Sequence, residues 1–172
     1  MGGRRARLAL ALCIGGVAIA GCGTAQPGGM SGPTMNQHVN RPMPSETVVS
    51  TEILEREPVA NSTKVKHILI SWRDLADAFG GAPDPRATAR SKHDAERTVR
   101  ELVAQIEAGA DFDALMREHS EDTGSAQSGN AYTVTPDAGL VLEFRLLGLR
   151  LAVGEIGVVE TQFGFHIIKR VE

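Results

Sequence analysis

Val65-Lys66-His67-Ile68-Leu69-Ile70 and Phe163-Gly164-Phe165-His166-Ile167-Ile168 are the two stretches whose reading decides how this 172-residue chain folds. Both are apolar, rich in β-branched residues and of strand length. Each carries one histidine, and together they bracket most of the chain's strongly apolar sequence. A single histidine in a strand is ordinarily a partly buried or surface residue. Two of them, at opposite ends of one domain, meet only if the first and last strands pair. Ser120-Glu121-Asp122 lies between them and adds a carboxylate to the set.

Moving inward, Lys64–Ser71 reads as the first strand. Residues Trp72–Arg90 contain Gly80, Gly81, Pro83 and Pro85 and read as a loop. Ser91 followed by Asp94 has the spacing of a helix N-cap with an acidic residue at the third helical position. Val99, Leu102, Val103 and Ile106 then recur at helical intervals, and Gly109 stops the helix. Asp111 caps a second, short helix carrying Phe112, Leu115 and Met116. A polar, glycine-containing loop leads to a short strand at Ala131–Thr135. A third helix is expected within Leu140–Leu151, with Phe144, Leu147 and Leu151 on one side. Val158–Thr161 and Phe165–Val171 are the last two strands, joined through Phe163 and Gly164.

The N-terminal third is of another kind. Arg4, Arg5 and Arg7 precede an apolar run from Leu8 to Ala20, too short to span a bilayer as a helix, so residues 1–21 read as a cleaved signal. The run closes on Ile19-Ala20-Gly21-Cys22, which resembles a bacterial lipobox whose cysteine is lipid-modified and becomes the first mature residue. Cys13 would leave with the signal, so Cys22 would be the one thiol of the mature chain, without a disulfide partner. Losing the three arginines moves the formal net charge from −3 to −6. A mildly acidic chain with no basic stripe argues against nucleic-acid binding. Residues 22–62 hold five of the eight prolines and no aromatic residue, so they are expected to be a disordered tether. A short helix around Thr47–Glu57, closed by Pro58, is the one element that this stretch could hold. All seven aromatic residues lie between Trp72 and Phe165, which places a single domain at 63–172.

The order and spacing of Lys66-His67-Ile68-Leu69, Ala89-Arg90-Ser91-Lys92, Ala110-Asp111-Phe112, His119-Ser120-Glu121-Asp122, Val153-Gly154-Glu155-Ile156-Gly157 and Gln162-Phe163-Gly164-Phe165-His166-Ile167-Ile168-Lys169 resemble a parvulin-type peptidyl-prolyl cis-trans isomerase domain. The resemblance implies an α+β fold of the FKBP-like kind. In it a four-stranded antiparallel sheet is wrapped by three to four helices, with the first and last strands side by side at its centre. It implies that His67 and His166 are paired imidazoles at the floor of the site. Asp122 would take the position where relatives carry aspartate or cysteine. Leu140, Phe144 and Phe163 would wall an apolar pocket for the substrate's proline ring, and Ala131 would stand where relatives have a pocket-shaping leucine. The chain departs from the family pattern at Gly129-Asn130-Ala131-Tyr132, at Pro136-Asp137-Ala138-Gly139, and in the shortened turn Gly154-Glu155-Ile156-Gly157. These departures bear on catalytic efficiency more than on fold.

The chemistry implied needs no cofactor, no metal and no covalent step. Rotation about a peptide bond meets a barrier of roughly 18–20 kcal/mol because the amide C–N bond has partial double-bond character. In the twisted state that resonance is lost and the carbonyl carries less negative charge. A clamp on the ring, with a carboxylate near the carbonyl, would favour the twisted state over the planar one. Blander readings exist. Asp122, before Thr123-Gly124, is a good turn cap, and two histidines with an aspartate make a three-ligand metal set, although the strands lack i, i+2 or i, i+4 ligand spacing. Arg73, Arg86 and Arg90 suggest an anion site, but Asp74, Asp77 and Asp84 offset them. The expected partners are unfolded or proline-containing exported polypeptides, and the membrane through the lipid anchor. The chain is expected to be a monomer in the bacterial cell envelope, facing the periplasm, on the outer membrane rather than the inner. The competing function is a chaperone-like binding module of the same fold.

Overall fold

The computed structural model describes residues 47–75 and 83–172, all within the unit Pro42–Glu172. The expected signal segment, Cys22, the part of the expected tether up to residue 46 and the loop glycines Gly80 and Gly81 lie outside the described residues.

Four strands form one antiparallel sheet: β1 (Thr63–Ile70), β2 (Tyr132–Val134), β3 (Ile156–Thr161) and β4 (Gly164–Arg170), in the order β2-β1-β4-β3. The first and last strands are therefore central neighbours. Their register sets Leu69 opposite His166 and His67 opposite Ile168. Side chains alternate between faces with period two, so His67 and His166 fall on the same face as diagonal cross-strand neighbours.

The alternation also divides the core. Ile68 and Ile70 of β1, Phe165 and Ile167 of β4 and Val158 of β3 point to one face. There they pack against α3 (Lys92–Glu107) and α4 (Phe112–His119) through Val99, Leu102, Phe112 and Met116. Val65, Val134, Val159 and Ile168 point to the other, under Phe144 and Leu147 of α6 (Leu142–Gly148). The histidines lie on this second face.

Both predicted caps form as written. Ser91 and Asp94 make a reciprocal capping box, and the Asp111 side chain accepts from the Ala114 N–H at the start of α4. The third predicted helix is shorter than Leu140–Leu151, since Leu140 and Val141 precede α6 and line the site instead. Two short helices occupy stretches read as loops. They are α2 (Pro85–Ala89), capped by Asp84 with Pro85 in its first turn, and α5 (Thr123–Ser128), capped by Asp122. Neither is long enough to display a 3.6-residue apolar period, so only their caps announce them.

The expected tether boundary at residue 62 does not hold for 47–62. A one-turn helix, α1 (Thr51–Leu54), buries Ile53 among Leu147, Leu151 and Val159. Ahead of it, the Ser50 N–H donates to the Val158 carbonyl at 2.9 Å, and the Val158 N–H donates to Ser50 Oγ at 2.9 Å, which covers the outer edge of β3. Val48 and Val49 pack on the opposite core cluster. One buried isoleucine in a polar stretch has no periodicity to reveal it. Its value comes from the surface it lands on.

Gly164 opens β4 at φ +136°, and a Cβ there would lie 2.5 Å from the Ile70 carbonyl oxygen. Only glycine allows the two central strands to approach this closely where the site begins.

Candidate functional site

β2 pairs with β1 only from Thr63 to Val65, so the rest of that edge of β1 is open. The segment after α4 fills it. The Leu69 N–H donates to Ser120 Oγ at 3.1 Å, the Glu121 N–H donates to the Leu69 carbonyl at 2.9 Å, and the Ser71 N–H donates to Glu121 Oε2 at 2.7 Å. Glu121 is buried, with the Arg90 guanidinium 2.7 Å from its Oε1. Burial holds its carboxyl above the usual range, against the bonds from Ser71 and Arg90. This anchoring delivers the next residue, Asp122, to His67.

Asp122 has two tasks, one for each oxygen. Oδ1 caps α5 through a long contact, 3.4 Å, from the Ser125 N–H. Oδ2 accepts from His67 Nε2 at 2.8 Å, Tyr132 Oη at 2.9 Å and Ser125 Oγ at 2.9 Å. Asp122 thus caps α5, as the turn reading expects, and with its other oxygen joins the histidine pair. The bond from His67, with those from Ser125 and Tyr132, holds the carboxyl well below the usual carboxylate range despite partial burial. The Tyr132 hydroxyl shifts upward in return, first through burial and then through the carboxylate it faces.

From His67 a line of hydrogen bonds crosses the sheet. His67 Nδ1 lies 2.9 Å from His166 Nδ1, with the rings stacked at 5.1 Å, and His166 Nε2 lies 2.9 Å from Thr161 Oγ1. The Phe163 N–H donates to Thr161 Oγ1 at 3.1 Å. A carboxylate can only accept, so His67 donates through Nε2. With both rings neutral, each remaining role follows in turn: His166 Nδ1–H donates to His67 Nδ1, and the Thr161 hydroxyl donates to His166 Nε2. His67 Nε2 also has Ser125 Oγ at 3.3 Å, and each of the other ring nitrogens has one partner and one direction. Both imidazoles are buried. Burial, with His67 beside it, pushes the His166 ring down to about 3, against the opposing pull of Asp122.

Over the histidines, Phe144 stands edge-on to both rings, with centroids 5.2 Å from His67 and 5.4 Å from His166. Leu140, Phe144 and Phe163, with Tyr132 and the two imidazoles, line a cavity of about 200 Å³ that is mostly apolar and open on one side. Its polar groups all converge on the floor.

The structure therefore brings together His67, His166, Asp122, Leu140, Phe144 and Phe163. It does not bring Ala131 to them. Ala131 faces a separate depression with Gly124, Ser128 and Asn130, and its neighbour Tyr132 takes the place in the cavity. In β2 adjacent side chains point to opposite faces, so a one-residue error in reading this departure from the family pattern moves the side chain out of the site. Tyr132, Ser125 and Thr161 were not evident from the sequence. The tyrosine's singularity in the chain was a signal for the first, but nothing local marks the two hydroxyls. Among the described residues no group of three or more His, Cys, Asp or Glu side chains is arranged to hold a metal ion. Of the arginines read as a possible anion site, Arg86 pairs with Asp84 and Arg90 with Glu121, while Arg73 donates to the Arg90 carbonyl at 3.3 Å.

This network makes stability depend on pH. The unfolded His166 takes up a proton near its ordinary pKa of about 6.5, whereas the folded ring resists until about 3. Folding then excludes a proton, and stability should fall as pH drops from about 6.5. Asp122, depressed in the fold, should add to the loss once pH enters the ordinary carboxylate range near 4. Glu121, shifted upward, works weakly against it. Urea midpoints should be clearly lower at about pH 4.5 than at about pH 7.5. A constant midpoint would mean that His166 titrates as a free imidazole.

An antiparallel sheet with its terminal strands central, two imidazoles joined ring to ring and a carboxylate beside an apolar cavity define the parvulin-like class of α+β folds. Residues 50–172 match the family model of the PPIC-type PPIase domain, and the chain belongs to that family, carrying a parvulin-type peptidyl-prolyl cis-trans isomerase domain. It is 31% identical over 123 residues to the foldase protein PrsA of Geobacillus kaustophilus (strain HTA426), across 70% of this chain and 43% of the foldase. The chain therefore spans less than half the length of that relative. The solution structure of TbPIN1 is similar with a TM-score of 0.56 at 20% identity, over 66% of this chain and all of that one. The peptidyl-prolyl isomerase ESS1 from Candida albicans gives 0.53 at 19%, over 65% of this chain and 63% of its own. At these identities the two structures establish the fold alone.

Proposed function

We propose that the chain catalyses cis-trans isomerisation of Xaa-Pro bonds and assists the folding of exported polypeptides in the bacterial cell envelope. The observation that carries the reading is the unbroken line Thr161–His166–His67–Asp122 at the floor of the cavity that Leu140, Phe144 and Phe163 wall. The proline ring enters the cavity, and the preceding carbonyl lies toward Asp122. Three donors hold the carboxylate ionised at Oδ2, and Oδ1 is engaged by the one long contact from the Ser125 N–H.

A fixed negative charge near the carbonyl disfavours the planar amide, whose oxygen is the more negative, and spares the twisted state. Each ~1.4 kcal/mol of such difference is worth about tenfold in rate. The histidines act as positioning residues. Their fixed tautomers aim Nε2–H at Asp122 and keep the carboxylate from turning away. No step requires a nucleophile.

The direct test is catalysed exchange of a short Ala-Pro peptide followed by exchange NMR. Acceleration by the purified chain is the expected result. Tight binding of extended peptides without acceleration would favour the chaperone-like module, and neither would remove both readings.

The location belongs to the same proposal. Cys22 would carry lipid and hold the domain, as a monomer, on the periplasmic side of the outer membrane. Gly23, next to the cysteine, lacks the acidic side chain that retains some lipoproteins at the inner membrane. Among the described residues no helix is long and apolar enough to cross a membrane. Cys22→Ala should move the protein out of the detergent phase on partitioning, and an Ala variant as membrane-bound as the parent would refute the anchor.

A further inference from the structure

The histidine pair borders not one depression but two. The second, about 280 Å³, shares His67, Phe163 and His166 with the proline cavity and adds Leu69, Glu121, Asp122 and Thr123. Its charges are unequal in availability. Glu121 is consumed by Arg90 and by the Ser71 N–H. Arg86 is consumed by Asp84 and by the carbonyls of Glu118, His119 and Ser120, and the Arg73 guanidinium donates to the Arg90 carbonyl. Asp122 has no lysine or arginine partner among the described residues; its donors are an imidazole N–H, two hydroxyls and a backbone N–H. Asp122 thus lines the second depression with a charge that no lysine or arginine partner answers, and Leu69 provides apolar wall beside it.

We infer that this second depression receives the side chain preceding the proline, and that Asp122 makes the domain select a cationic residue there, accept a neutral one and reject an acidic or phosphorylated one. The inference rests on the isomerase reading for the direction of the chain: with the ring in the apolar cavity and its carbonyl toward Asp122, the preceding residue lies on the Asp122 side. A lysine or arginine suits both features of the wall. Its methylene stem lies along Leu69 and its charged end reaches the Asp122 carboxylate. A carboxylate or phosphate in the same place meets a like charge, with no lysine or arginine among the described residues that line the depression. For a partly solvated pair the gain is modest, about three- to fivefold for Lys over Leu, and roughly tenfold or more for Lys over Glu.

The test uses the purified full chain and a set of tetrapeptides differing only before proline: Lys, Leu, Glu and phosphoserine. Isomerisation efficiency is measured by exchange NMR, and Kd by amide-shift titration. Work at about pH 8 keeps free imidazoles uncharged. The expected order is Lys, Leu, Glu, phosphoserine, shrinking as salt rises from about 50 mM to about 500 mM. Thr123→Lys, at the exposed rim, should narrow the Lys-over-Glu ratio or reverse it. Equal efficiencies and affinities, or a preference for Glu or phosphoserine, would overturn the inference. If no peptide is isomerised the catalytic reading fails separately, and the Kd order still decides the charge selectivity. No charge order in either readout overturns it.

Discussion

A chain shortened to begin at Ser62 should be less stable than one beginning at Thr47 by on the order of 2–5 kcal/mol, the range found when a large buried aliphatic group is lost. Ile53 is 7% exposed and sits beneath α6 beside Leu147 and Leu151. Removing it opens the underside of the helix that carries Phe144. The same cut strips the two Ser50–Val158 hydrogen bonds from the edge of β3 and the Val59 N–H bond to the Leu149 carbonyl. It also frees Arg150, whose Nε donates to the Arg56 carbonyl, and breaks the Arg56–Glu155 ion pair. The ion pair is exposed and counts for little. The burial dominates. Urea unfolding of the two chains side by side checks the difference, and because α6 forms one wall of the cavity, peptide affinity should fall with it. Equal midpoints would mean that residues 47–61 are not anchored to the sheet.

Replacing Asp122 should give the largest functional effect. Asp122→Ala removes the acceptor of three side-chain donors and the cap of α5 together. The lost cap costs about 1 kcal/mol, and the Tyr132 hydroxyl and His67 Nε2 must find water. Asp122→Asn keeps a capping oxygen and removes the charge, which separates the two tasks. If the charge favours the twisted amide, both variants should slow Ala-Pro exchange by roughly ten- to a hundredfold, equivalent to about 1.4–2.8 kcal/mol of transition-state preference. If Asp122 merely holds α5, the alanine variant alone should be impaired. Circular dichroism at each step guards against loss of fold, and wild-type rates in a folded Asp122→Asn would refute an electrostatic role.

Wherever the determining interaction spans only a few residues, the sequence was legible. The Ser91–Asp94 box, the Asp111 cap and the Gly109 stop were readable because a cap is made within one turn. The strands bearing His67 and His166 were readable because an apolar, β-branched run of strand length needs no knowledge of the partner. That the two histidines are neighbours came from family resemblance rather than from local pattern. The register setting Leu69 opposite His166 bears it out physically.

By itself, then, the sequence determined the four strands and the three longer helices, their order and the chemical types available at the site: two imidazoles, a carboxylate and apolar side chains at helical spacing. Tertiary structure alone decided which hydroxyls complete the network, that Tyr132 and not Ala131 enters the cavity, and that Ile53 makes residues before 62 part of the domain. The physical reason is the range of the forces involved. Caps and alternation are written in neighbouring residues, whereas the worth of a buried methyl group or a hydroxyl proton depends on surfaces brought together from distant parts of the chain.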